Sequence, residues 1–101
     1  MYTANLYFVF NRKDGNIGHR LITSTEILAK NINLAKSHAT RICKNSEKLK
    51  DWDLNAKWSP LIEEEIKRDG NIKKFYQKTF INPPDTAEPT IFMAFVDLVI
   101  E

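Results

Sequence analysis

The sequence predicts an α+β fold, an antiparallel sheet in ββααββ order with two helices packed on one face, across residues 1–101 as one domain. Three observations carry this. Strand alternation opens and closes the chain, a capping box introduces an apolar helical stripe, and a Ser-Pro pair opens a second helical segment.

The first strand reads from alternation of Ala4, Leu6, Phe8 and Phe10 with Asn5, Tyr7 and Val9. Asp14-Gly15 suits a two-residue hairpin turn, since Gly accepts the positive φ that such turns require. That turn sets Phe10 opposite His19, Phe8 opposite Leu21, Val9 opposite Arg20 and Tyr7 opposite Ile22. Leu6, Phe8, Phe10 and Leu21 then line the core, and Tyr7, Val9, Arg20 and Ile22 share the reverse face.

Thr23-Ser24-Thr25-Glu26 has the capping-box pattern, in which the Thr hydroxyl and Glu carboxylate each satisfy an amide left open at a helix start. A helix is expected from there to Asn45, placed as a left-handed terminator. Leu28, Ile32, Ala35, Ala39 and Ile42 form its apolar stripe, and the two alanines allow close approach to the sheet. The opposite side carries Lys30, Ser37, Arg41 and Lys44, with Leu34 among them. No acidic residue lies between Ile27 and Ser46.

Trp52 and Trp58 lie in an irregular connection, where tryptophans pin loops to a core or fold over a bare sheet face. Ser59-Pro60 opens the second helix, Glu63, Glu64 and Glu65 match its dipole, Lys67 and Arg68 lie at the stabilising spacing, and Gly70 ends it. Residues 72–81 suit either helix or strand, and the Phe75, Tyr76, Thr79, Phe80 and Ile81 content favours strand. After Asn82-Pro83-Pro84, the last strand, Thr90 to Ile100, is apolar on both faces except for Asp97. It is expected to be central, or to have one face covered by another molecule.

Charge is divided unevenly. Residues 1–50 carry nine Lys or Arg against three acids, a net of +6, and the rest carry six against ten, a net of −4. Such polarity steers partners more than it sets a fold. With one cysteine there is no disulfide framework, which favours the cytoplasm. The start lacks a signal-peptide pattern, and the longest apolar run, Ile91 to Val96, is too short for a membrane span. Eleven Lys, eleven Ile and nine Asn against three Gly suggest an AT-rich genome, hence a phage or other mobile element.

Candidate chemistry is sparse. His38 and Cys43 are five apart on one helix, with no second pair to complete a metal site, so Cys43 reads as an apolar filler and no metal or cofactor is expected. Helix-dipole matching explains Glu63 to Glu65 without acid–base chemistry, and no nucleophile motif or glycine-rich phosphate loop occurs. A non-enzymatic role is expected.

Binding remains. Arg12 and Lys13 at the hairpin tip, with Lys30, Arg41 and Lys44 on the helix, make a basic face for an acidic protein surface or a nucleic acid. Leu6 to Asn11 resembles the first ribonucleoprotein strand motif of RNA-recognition domains over six residues; its glycine-aromatic companion is missing, so it assigns no family. Tyr7, Val9, Arg20, Ile22 and Leu34 are the expected protein-contact residues, since two helices on one side leave apolar sheet uncovered. The expected function is stoichiometric binding, as by a mobile-element accessory that inhibits or modulates a host macromolecule. A nucleic-acid regulator is the alternative, and a homodimer is compatible with either.

Overall fold

In the computed structural model, which describes residues 1–65, 72–85 and 90–100, antiparallel strands dominate and one helix packs on the sheet. The strands are β1 (Tyr2–Asn11), β2 (Ile17–Ile27), β3 (Asp53–Leu54), β4 (Ile62–Glu65), β5 (Ile72–Asn82) and β6 (Ile91–Ile100); the helix α1 is Ile32–Lys44. Their order across the sheet is β2-β1-β6-β5-β3, with β4 also paired to β5. This corrects the ββααββ expectation: among the described residues one α-helix takes the place of two, and six strands the place of four.

The strand expectations for both ends of the chain and for 72–81 agree with this sheet. β6 is central, paired along one edge with β1 and along the other with β5. Ala94, Val96 and Leu98 are buried under α1, and Phe95 and Asp97 are buried on the other side.

The hairpin differs from expectation by one residue. Arg12 N donates to Asn16 O at 2.8 Å and Gly15 N to Arg12 O at 3.1 Å, enclosing a three-residue loop, Lys13-Asp14-Gly15, with Gly15 at φ 85°. The loop therefore pairs Val9 with His19, Phe8 with Arg20 and Tyr7 with Leu21. A one-residue slip reverses every side chain of the strand. Arg20 consequently joins Phe8 on the helix side, and Leu21 and His19 move to the reverse face. Ile22 is an extra residue between the pairs Tyr7–Leu21 and Leu6–Thr23, a bulge that turns it toward the helix side as well. An added Cβ at Gly18 would lie 2.6 Å from the Phe10 ring and 2.7 Å from Arg12 Nε, so both side chains would have to swing aside.

The capping box does not start a helix. Ile22, Thr23, Thr25 and Ile27 are β-branched, and pairing of Thr23 to Ile27 with Leu6 to Tyr2 extends β2 through the whole motif. Asn31 caps α1 instead, its side-chain oxygen accepting from Leu34 N at 3.0 Å. Leu28 and Lys30 thus lie outside the helix, Leu28 79% exposed. The buried stripe is Ala35, Ala39 and Cys43, small residues one above another that seat α1 close to Ala4, Leu6, Val96 and Leu98. Ile42, expected in that stripe, is displaced from it by one residue and is 37% exposed. Asn45 ends the helix in a right-handed conformation, φ −91°, not the left-handed one expected.

Residues 53–65 follow the outer edge of β5. Asp53 and Leu54 pair with Asn82 and Ile81, Asn55 N donates to Phe80 O, Ser59 N donates to Lys78 O, and Ile62 to Glu65 pair with Tyr76 to Ile72. Ser59 does not cap a helix: its hydroxyl accepts from Lys78 N at 3.0 Å and its carbonyl from Gln77 Nε2 at 2.6 Å. The excursion at 56–58 tucks Trp58 against the helix-side core, and Trp52 stacks on Phe8 at 5.3 Å on that same side. Both tryptophans therefore brace the layer under α1, and the reverse face goes without them. The expected partners Lys67 and Arg68 and the terminator Gly70 lie outside the described residues.

Candidate functional site

The sheet face opposite α1 is the candidate site, and its rows follow from the register. Leu21, Tyr7, Phe95 and Phe80 stand side by side across β2, β1, β6 and β5, an apolar band about 14 Å wide at the usual strand spacing. The next row along the strands is polar: Ser24, Asn5, Asp97 and Lys78, in which the Ser24 hydroxyl donates to Asn5 Oδ1 at 2.7 Å. Among the described residues, no element crosses either row.

Phe95 is the hub. Tyr7 stacks on it at 4.9 Å and 22°, His19 meets it edge-on at 5.9 Å, and Phe80 lies 6.4 Å away. Lys78 Nζ sits 4.7 Å above the Phe95 ring and 5.1 Å from that of Tyr76, while Lys74 Nζ lies 4.9 Å from Tyr76. Such cation–ring contacts hold a flexible lysine down on the sheet and spread its methylenes over the ring. They leave Phe80 42% and Leu21 52% exposed at the two ends of the band.

Beside the hub lies a buried carboxylate. Asp97 is 3% exposed; its Oδ2 receives Lys74 Nζ at 3.4 Å, and its Oδ1 has no hydrogen-bond partner. Lys74 is also 3.7 Å from Glu64 Oε2, a cross-strand pair between β4 and β5. Burial raises the Asp97 carboxyl above its ordinary value, outweighing the nearby charges of Lys74 and Lys78. At Lys74 the balance is reversed: burial lowers it, but the charge and hydrogen bond of Asp97, with Glu64 behind, hold the ammonium above its ordinary value. The difference follows from depth, the Asp97 side chain being 5% exposed and that of Lys74 30%.

Of the residues singled out from sequence, only Tyr7 and Val9 are on this face. Arg20 and Ile22 lie on the helix side, and Leu34 is on the solvent side of α1, 44% exposed. Arg12 and Lys13 cap the hairpin at one end of β1, while Lys30 lies beyond Ile27 at the other, about 30 Å away for a ten-residue strand. Arg41 and Lys44 occupy the last turn of α1. The basic residues thus form no single patch, and those of the helix are separated by the sheet from the aromatic band.

Phe95, Asp97, Lys74, Tyr76, Lys78 and Phe80 were absent from the expected site. One signal pointed to it: Asp97 is the single charge in a ten-residue apolar strand. Cys43 is buried, with its thiol pushed up to about 11 by burial, so it is a packing residue rather than a nucleophile. Among the described residues, no three His, Cys, Asp or Glu converge as metal ligands, and no helix is long and apolar enough to cross a membrane. The chain matches no protein-family description, no curated protein and no solved structure.

Proposed function

We propose that this chain is a non-enzymatic binding protein that docks a protein partner on the sheet face opposite α1. The observation that supports it is the band from Leu21 to Phe80, exposed at its two ends and crossed by no described element, with an aromatic hub fixed between them. An aromatic centre with a polar rim is the usual composition of a protein interface, in which rigid rings bury much area at little entropic cost. Lysines 74 and 78 would contribute at the rim, where Glu64 and Asp97 already offset the charge of Lys74.

The same charge balance weakens the nucleic-acid reading. Lys78, which lies across the strand pair from Asp97 without an ion pair, is the one described lysine of this face free to meet a phosphate, and one neutralised phosphate gives a salt slope of only about −0.7 on a single strand. The proposed mode is stoichiometric, without chemistry on the partner. The finer reading, an inhibitor or modulator of a host macromolecule carried by a phage or mobile element and acting in the cytoplasm, is supported by composition and the lone cysteine.

Affinity capture with three forms of the protein tests the proposal: wild type, Leu21→Ser with Phe80→Ser, and Arg41→Glu with Lys44→Glu. The expected result is a stoichiometric protein partner retained by wild type and the helix variant and lost by the sheet variant. Loss with the helix variant alone would move the interface to α1 and refute the proposal.

A further inference from the structure

The helix side of the sheet carries a second opening, independent of the face discussed above. Five strands span about 19 Å and a helix with its side chains about 10 Å, so α1 cannot roof the whole layer. Trp52, Leu54 and Trp58 pack over the β5 side and leave there a smaller cavity of about 210 Å³. On the β2 side a half-open cavity of about 430 Å³ remains, floored by Ala4, Leu6 and Val96 and walled by Ala39, Ile42 and Cys43 of α1. Its other wall is the edge strand itself, through Ile22, Thr23 and Thr25, with Lys48 on the rim.

Among the described residues, β2 has no neighbour on its outer side. Unpaired strand edges are templates for another strand. Beyond the Ile22 bulge, Thr23 to Ile27 is a regular stretch of typical strand length, and its groove-side residues Thr23 and Thr25 are short enough to leave the cavity open toward the edge. We infer that Thr23–Ile27 accepts an extended segment of a partner protein as an added strand, with an aliphatic side chain of that segment entering the cavity between α1 and β2.

Two observations define the occupant. The edge offers main-chain hydrogen bonds, which a strand satisfies and a helix or small amphiphile does not. The cavity is mainly apolar, and the two charges on its lining, Glu47 and Lys48, cancel, so the matching segment has Val, Ile or Leu at alternate positions. A second copy of this chain fits less well. Paired through its own Thr23–Ile27, it would offer threonines to an apolar cavity.

The test uses fluorescein-labelled peptides of about nine residues, alternating valine and threonine between flanking serines, titrated by fluorescence anisotropy. Two isomers methylated on alternate backbone nitrogens accompany the parent peptide. The expected result is saturable binding of the parent below about 1 mM, with one methylated isomer weakened by about tenfold or more and the other retained. Ile42→Glu, at an exposed position, should weaken the parent peptide, and Leu21→Ser with Phe80→Ser should leave it unchanged, which separates this site from the opposite face. Equal binding of both methylated isomers would show cavity filling without strand addition and overturn the inference. So would absence of binding at about 1 mM, or protection of the Thr23–Ile27 amides from hydrogen exchange that rises with protein concentration in the absence of peptide, which would identify a second copy as the occupant.

Discussion

Deletion of Ile22 should leave the fold standing. Ile22 is the extra residue of the β2 bulge, so removing it joins Leu21 directly to Thr23 and preserves every β1–β2 pair, from Asn11–Ile17 to Tyr2–Ile27. What is lost is the burial of one partly exposed isoleucine. Full burial of such a side chain is worth about 1.5–3 kcal/mol, so the cost here is about 1–2 kcal/mol, lessened by a more regular ladder. Deletion of Asn5 is the comparison. It lies in β1, paired on both sides, and its loss turns Tyr2 and Ala4 away from the core or slides them out of register with β6 as well as β2. Urea denaturation followed by tryptophan fluorescence gives both numbers. The Ile22 deletion should keep a cooperative transition with an unchanged slope and a midpoint lowered by its 1–2 kcal/mol equivalent, roughly, and the Asn5 deletion should lose more than about 3 kcal/mol. If the two deletions cost the same, or if the Ile22 deletion does not fold, the bulge assignment is refuted.

Other outcomes can be checked alongside. Asp97 has its carboxyl raised by folding, so its neutral form is the one the fold favours: its contribution is complete below the ordinary value of 3.8 and is lost as pH rises through the higher folded value. Relative to Asp97→Asn, the wild type should therefore lose stability with rising pH from 3.8 upward, and a parallel pH dependence of the two proteins in chemical denaturation would contradict this. Gly15→Ala should cost about 1 kcal/mol through its positive φ alone, since nothing lies within 4 Å of the added Cβ, and Ala56→Gly, at φ 56°, should have the opposite sign; thermal melts report both. Cys43, with a thiol near 11 and little exposure, should resist iodoacetamide at pH 8 until denaturant unfolds the chain; labelling of the native protein at the rate of a free thiol would show an opening of the helix layer.

The sequence made much of the sheet legible. Alternation placed β1 and β6, the two-sided apolar pattern of β6 marked a central strand, and aromatic and β-branched content identified β5. Register was harder, because Lys13-Asp14-Gly15 and a two-residue Asp14-Gly15 turn differ by one position, and that position decides which face carries Arg20 or Leu21. The capping box at Thr23 failed for a related reason: its two threonines, flanked by Ile22 and Ile27, are good strand formers, and pairing with β1 outweighed the local hydrogen bonds. Glu63 to Glu65 has a spacing that serves a helix, yet Glu64 finds Lys74 across a strand pair instead. The aromatic hub could not be read linearly at all. Tyr7, Phe80 and Phe95 meet only because β1, β6 and β5 are neighbours, which no local pattern states.

The pairing of β1 with β6 has a kinetic consequence. Ala4 lies opposite Leu98, so closing the centre of the sheet means bringing together positions more than ninety residues apart, an ordering cost of about 4 kcal/mol before any contact repays it. During synthesis at roughly 5–20 residues per second, the β1–β2 hairpin waits several seconds with its inner edge bare until β6 emerges. Assembly of this chain should accordingly be slow for its size, and the waiting hairpin, rather than the finished molecule, is the species most exposed to aggregation and to chaperone capture.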